Sequence, residues 1–310
     1  MSEVKREDRY IQFPLCLLQQ TYQNPKQGLN MILDYGIVYY AKSIRNYTIT
    51  EVARQLMYAF YRKNEMIQNS LYSTIQKYAN NGCLTIDEDY NGFSGSSFDP
   101  LEVSEELLGL FESDHEFKKA AILRYQIAQA EDFLYIKDHG IDSTIKGYKE
   151  GLAYQKEFEQ KFGSDCMPMI KPEQLFEFRD SGRDLDLFRA YIAIKSMIGM
   201  RNFATSNKPA ILSRMIGCKS KDAFVYYTTN KYQKNDHILP TVKKYSKRFN
   251  MDKLILTLAE RQFIMFVSKP YVSILYFSKY MEPEELATLV KETKSKQDLK
   301  QRIKEASKFL

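Results

Sequence analysis

The sequence predicts a mainly α, multi-helical protein with one β-hairpin in its carboxy-terminal part, and three observations predict it. Apolar residues recur at intervals of three and four over most of the chain, the spacing of one face of a helix. Residues rich in β-formers are confined to two short runs, 263–267 and 271–277, separated by Ser268-Lys269-Pro270. Hydrophobic residues make up 44% and charged residues 27%, the balance of a chain that buries a core. At 310 residues the chain exceeds the usual size of one domain, so two are expected.

After an extended segment at Ile11 to Pro14, Leu29, Ile32, Leu33, Gly36, Ile37, Tyr40, Ala41 and Ile44 mark a first helix. Thr50 is placed to cap a second, with Val52, Leu56, Phe60, Ile67, Leu71, Ile75 and Tyr78 as its buried stripe and Asn81-Gly82 as its end. Leu84 to Pro100 is polar and acidic, with Asn91-Gly92 and Gly95-Ser96-Ser97, and reads as a loop. Helices follow at Pro100 to Phe111, Glu116 to Ile136 (stopped by His139-Gly140) and Ser143 to Phe162. Periodicity lapses from Gly163 to Gly182, around Pro168 and Pro172, and resumes at Leu185 to Ile198 before Gly199. These patterns predict an acidic helical domain over 1–165, a linker over 166–183 and a basic domain over 184–310.

Charge follows the same division. Residues 1–180 hold 20 Lys/Arg against 27 Asp/Glu, and residues 181–310 hold 25 against 12, so a net −7 meets a net +13. Between Lys195 and Lys253, 13 basic residues face only Asp222, Asp236 and Asp252, whereas Leu84 to Glu116 carries ten carboxylates and no Lys or Arg. Such asymmetry predicts a basic working surface, and an anionic polymer rewards one through counterion release.

In the basic part, helices are expected at Ser220 to Asn230, Thr241 to Phe249 and Met251 to Gln262, with the hairpin directly after them. Over Thr241 to Arg261, small Ser246 fits between two helices and Asn250 suits a left-handed turn. Tyr245, Phe249, Met251 and Leu256 fall at buried positions, which leaves Lys243, Lys244, Lys247 and Arg248 free for phosphates. A second register exists upstream, because Pro209 to Tyr227 also reads as helix, Gly217 turn and helix. It has buried Leu212, Ile216 and Cys218, and Lys219, Ser220 and Lys221 open its second helix. Across roughly residues 218–280, three helices and a hairpin resemble the winged helix-turn-helix nucleic-acid-binding proteins. The resemblance implies a winged-helix-like unit that binds DNA, with Lys219, Lys221, Lys243, Lys244, Lys247, Arg248 and Lys253 as contacts and Lys269 at the wing tip. RNA stays open as a ligand. The hairpin favours the downstream register, since a wing follows the recognition helix.

Other chemistries find little material. The chain holds three histidines and no GxxxxGK[ST] or GxGxxG phosphate motif, so no catalytic residue, cofactor or metal is assigned. Asp114-His115-Glu116 and Glu131-Asp132 with His139 are expected to cap and solvate helix ends. Asp87-Glu88-Asp89 lacks the closing glutamate of a calcium loop. Cys16, Cys83, Cys166 and Cys218 form no CxxC pair and are expected as free thiols. No apolar stretch is long enough for a membrane span, and Ser2 to Arg9 lacks a secretory signal's core, so a cytoplasmic location is expected. Tyr226, Tyr227 and Tyr232 lie in the basic stretch and would suit stacking on bases or core packing equally. Glu284 to Leu310 is an amphipathic tail suited to closing the domain or to docking.

The sequence therefore predicts a non-enzymatic DNA-binding protein of the transcription-regulator or replication-initiator type, with its amino-terminal helices available for homo-oligomerisation. The competing expectations are an assembly module whose basic half meets an acidic partner and an enzyme whose site forms only in three dimensions.

Overall fold

A computed structural model of the protein describes residues 10–43, 47–61, 105–128, 139–181, 184–199, 201, 203–229, 238–268, 275–278, 282 and 284–293. The protein is mainly helical. It divides into two compact units, residues 33–152 and residues 1–32 with 153–310, and both boundaries fall inside continuous helices, α2 (Pro25–Ser43) and α6 (Ile141–Phe162).

In the unit of residues 33–152, α3 (Ile49–Tyr61), α4 (Glu105–Ser113) and α5 (His115–Ala128) pack on one another. Their core is Val52, Ala53 and Leu56 from α3, Leu107, Leu110 and Phe111 from α4, and Phe117 and Ala121 from α5. The cap of α3 is Thr48, not the expected Thr50: Thr48 Oγ1 accepts from Glu51 N–H while the Glu51 carboxylate accepts from Thr48 N–H, a reciprocal capping box. Asp114 caps α5 by accepting from Glu116 and Phe117 N–H. The α2 and α6 segments of this unit meet where the buried Asp34 carboxylate lies 3.3 Å from His139 Nε2 and the Tyr35 and Tyr148 rings are 5.1 Å apart. Gly147 makes that approach feasible, since a Cβ there would sit 1.9 Å from Asp34 Oδ2.

The other unit is built on α8 (Leu185–Ile198), which is buried on nearly every side, Arg189 and Lys195 included. Before it come β1 (Ile11–Gln12), a 3-10 turn (Leu15–Gln19), α1 (Gln20–Gln23), the end of α6, β2 (Met169–Ile170) and α7 (Pro172–Ser181). The β1 and β2 strands pair antiparallel, Ile11 opposite Ile170. Residues 166–183, read from sequence as a linker, thus carry a strand and a helix whose Leu175 and Phe178 are buried, and the Phe178 ring stacks on Tyr191 and Phe263. Prolines at 168 and 172 hide this from a periodicity argument, because Pro172 opens α7 where a helix tolerates it.

After α8 the chain forms β3 (Phe203–Ser206), α9 (Lys208–Met215), α10 (Lys221–Thr229), α11 (Ile238–Tyr245), α12 (Arg248–Glu260), β4 (Met265–Ser268) and β5 (Leu275–Ser278). These strands form an antiparallel sheet of order β3-β5-β4, with Phe203 and Met265 both opposite Ser278. The expected hairpin is therefore present in β4 and β5, and a strand not anticipated from sequence, β3, joins it from before the helices. Helix α8 packs on α9 and on α12, so the helix leading into the hairpin rests on the core helix of the unit.

Candidate nucleic-acid interface

Within α11, Ile238, Thr241 and Tyr245 are buried, a three-and-four spacing that turns Lys243 and Lys244 outward. The helix ends at Ser246 and Lys247. Ser246 N–H donates to Val242 O and its hydroxyl to Lys243 O, while Asn250 Nδ2 donates to Lys244 O at 2.7 Å, so the last carbonyls of α11 are satisfied by the turn itself. Asn250 lies in the first turn of α12 and is not the left-handed turn residue expected from sequence; Gln262 is the non-glycine residue with positive φ among those described. The turn thus falls about one helical turn earlier than the sequence pattern placed it.

That shift re-aims the next helix. Met251, Ile255 and Leu258 form the buried stripe of α12, and Arg248, Phe249, Lys253 and Leu256 fall outside it. Phe249 is 77% exposed and Leu256 50% exposed, which overturns their assignment to the core. A helical wheel started at Arg248 would have separated Phe249 from Met251 by two residues, about 200° of rotation. The missing information was the helix start.

The cations do not all serve the same end. Lys243, Lys247 and Lys253 are exposed, with no ion pair to another described residue. Arg248 extends into solvent, its side chain 88% exposed and 3.7 Å from Asp252, which also pairs with Lys208. Lys244 is committed elsewhere: its Nζ lies 3.0 Å from Asp186 Oδ2 at the start of α8. Asp186 also accepts from Tyr245 OH at 2.8 Å and from Arg189 at 2.9 Å, and Arg189 donates onward to the Thr21 hydroxyl and carbonyl and lies over the Tyr22 ring. Burial pushes the Asp186 carboxyl up, but the Tyr245 and Lys244 hydrogen bonds and the Arg189 charge outweigh it and hold the group below the ordinary carboxylate range. Lys244 is therefore a structural anchor for α11.

The upstream pair, α9 and α10, has the glycine turn the sequence predicts. Gly217 has φ +78, Ser213 Oγ donates to Cys218 O, and Leu212, Ile216 and Cys218 are buried. Asn207 caps α9 through Ala210 N–H and Ser220 caps α10 through Ala223 N–H. Lys219 and Lys221 are exposed at the start of α10, Lys219 with a 3.3 Å hydrogen bond to Ser164 O. Lys243, Lys247, Arg248 and Lys253 are gathered around the turn between α11 and α12, and Lys219 and Lys221 stand at a different one, between α9 and α10. Lys269 lies outside the described residues.

Helix α12 begins without a side-chain cap, its N-cap Lys247 being extended with its own side chain in solvent. Asn250 and Met251 N–H donate to Lys247 O, and no described residue accepts from Arg248 or Phe249 N–H, so the start of this helix sets positive side chains around two open backbone amides, a local field that favours anions. Tyr226 and Tyr227, considered as base-stacking residues, instead pack on Phe162, and Tyr227 also faces Phe158. Tyr232 lies outside the described residues. Among the described residues no helix is long and apolar enough to cross a membrane. Comparison with known protein families, with curated proteins and with solved structures gave no match for this chain.

Proposed function

We propose that the protein binds DNA through α11, α12 and the hairpin that follows them. The observation that carries the reading is the set of four exposed cations, Lys243, Lys247, Arg248 and Lys253, spread over eleven residues around one helix-helix turn, with the long surface pair of Arg248 to Asp252 as the one ion pair among them to a described residue. Two features support it. The succession α8, β3, α9, then α12, β4, β5, with the sheet order β3-β5-β4, is compatible with a winged-helix-like unit drawn wider than residues 218–280, with α10 and α11 between its second helix and its last. Helix α12 also packs its apolar stripe on α8, so its outer face is presented by a rigid support. A transcription regulator or a replication initiator fits this reading, with the amino-terminal helices serving self-association or a partner.

Fluorescence anisotropy of labelled DNA tests it. Binding is expected to fall steeply between about 50 and 200 mM salt, with log affinity changing by about −0.9 per phosphate neutralised. Reversal of Lys243, Lys247, Arg248 and Lys253 to Glu is expected to abolish it. Lys244 is left intact, so that any loss reflects the surface and not the Asp186 anchor. Absence of binding at the lowest salt, with retention of an acidic protein surface, would replace the reading with an assembly module; preference for RNA at equal salt would change the polymer.

A further inference from the structure

We infer that the outer face of α12 takes a single strand, with the Phe249 ring stacked on an unpaired base and Lys247, Arg248 and Lys253 holding the flanking phosphates. The inference rests on the nucleic-acid reading above and adds strandedness to it.

Phe249 has no role in the core. It is 77% exposed, whereas Met251, Ile255 and Leu258 of the same helix are at most 2% exposed. A ring left in water forgoes the transfer free energy that burial of an aromatic supplies, and an isolated exposed residue would need no comment. This ring is not isolated chemically. Lys247 and Arg248 precede it, Lys253 follows one turn later on the same side of the helix, and Leu256, half exposed, extends the face by another turn. An aromatic set among exposed cations, of which Lys247 and Lys253 have no ion pair to another described residue and Arg248 has only the exposed Asp252 at 3.7 Å, matches the two features of an unpaired polynucleotide, a π-face on every base and a charge on every phosphate. A duplex offers the charges but keeps its π-faces stacked inside, so the cations alone account for duplex binding and leave Phe249 and Leu256 unused. Complementary charge also argues against an uncharged apolar partner, which would leave Lys247 and Lys253 to be desolvated without a counter-charge.

The chain contains no tryptophan, so Phe249→Trp in the full-length protein introduces a sole indole at the proposed contact. Titration with oligothymidylate is expected to quench its emission as the strand saturates, and mixed-sequence duplex to bind more weakly and leave emission unchanged. Phe249→Ala is expected to weaken oligothymidylate binding about tenfold while leaving the salt slope unchanged, because the slope counts phosphates and not stacked bases; Phe249→Tyr retains binding. Because the side chain is exposed, circular dichroism of each variant should superimpose on that of the parent. Unquenched emission on a bound strand, or full affinity in Phe249→Ala, would overturn the stacking inference and leave the nucleic-acid reading standing. Equal affinity for duplex with equal quenching would overturn it in favour of a wedge between base pairs. An emission shift that depends on protein concentration without oligonucleotide would overturn it in favour of a second copy of the chain. No binding of either polymer at low salt would remove both readings.

Discussion

Lys244 Nζ stands 3.0 Å from Asp186 Oδ2, which ties the last turn of α11 to the first turn of α8. The same carboxylate holds Arg189, a side chain only 6% exposed, so its removal leaves a buried guanidinium without its counter-charge. Asp186→Asn is therefore expected to lower stability by about 2 kcal/mol in urea unfolding. Lys244→Gln should cost less, under about 1 kcal/mol, because that side chain is 56% exposed and its charge is screened by water.

Acid should reveal the same anchor. The Asp186 carboxyl lies below its ordinary range in the folded protein, so it protonates at lower pH there than in the unfolded chain. Its contribution is complete above the unfolded value of about 4 and is lost as pH falls through the folded value. Unfolding midpoints of the parent should drop more steeply below about pH 4 than those of Asp186→Asn. Parallel curves would show that Asp186 is not depressed.

Asp165 should behave with the opposite sign. Burial is the main cause that raises its carboxyl, with Glu159 adding to it against the hydrogen bonds from Cys16 and Cys166, and one of its oxygens, Oδ1, is buried without a hydrogen-bond partner among the described residues. A raised carboxyl contributes stability below its unfolded pKa and loses it as pH rises through the folded one. Asp165→Asn keeps an oxygen for Cys16 N–H, which now donates to Oδ2 at 2.7 Å. The variant should therefore gain on the parent as pH rises from about 4 to neutrality, and a difference that shrinks with pH would contradict the assignment.

Gly217 is fixed by two constraints at once. Its φ of +78 strains any residue with a side chain, and a Cβ would meet Leu15 O at 3.1 Å and Gln19 Cγ at 2.9 Å. Gly217→Ala should cost about 2 kcal/mol or more by thermal or urea unfolding, well above the roughly 0.5 kcal/mol of an ordinary surface change. A smaller loss would mean that the α9–α10 turn relaxes.

The helices were legible where one face is apolar over several turns, as in α2 and α3, because burial imposes the period directly on the sequence, and α8 was legible as a long apolar run that is buried on nearly every side. The hairpin was legible from Phe266, Val267 and Tyr276, which favour strands by shape. Strand β3 was not, because its buried residues, Ala204 and Ser206, are small or polar and give no apolar alternation, and the strand is held by pairing with β5. The α11–α12 turn was misplaced because Ser246 and Asn250 serve it through side-chain hydrogen bonds that no periodicity encodes. That one shift moved Phe249 from core to surface and is why the composition of the basic face could be read but its aromatic residue could not. Lys244 looked like its neighbour Lys243 in sequence, and only the distance to Asp186, 58 residues earlier, separates anchor from surface.

Two helix pairs, α9–α10 and α11–α12, carry the cations on which the proposed nucleic-acid binding would draw, and charge removal should separate them. Lys219 and Lys221 open α10, which begins with a Ser220 cap and has the exposed Asp222 beside them. Lys247 and Arg248 open α12, which begins uncapped, and Lys243 and Lys253 flank it on either side. If α12 carries the contact, each neutralisation among Lys243, Lys247 and Lys253 to Gln should reduce the salt slope by about 0.9, and Lys219→Gln with Lys221→Gln should leave it unchanged. The opposite pattern would move the interface to α9 and α10 and leave the cations of α12 as a solvated surface. Since all of these side chains except Lys219 lack a hydrogen bond to another described residue, their neutralisation should change stability by no more than about 0.5 kcal/mol, so the binding data can be compared at constant fold.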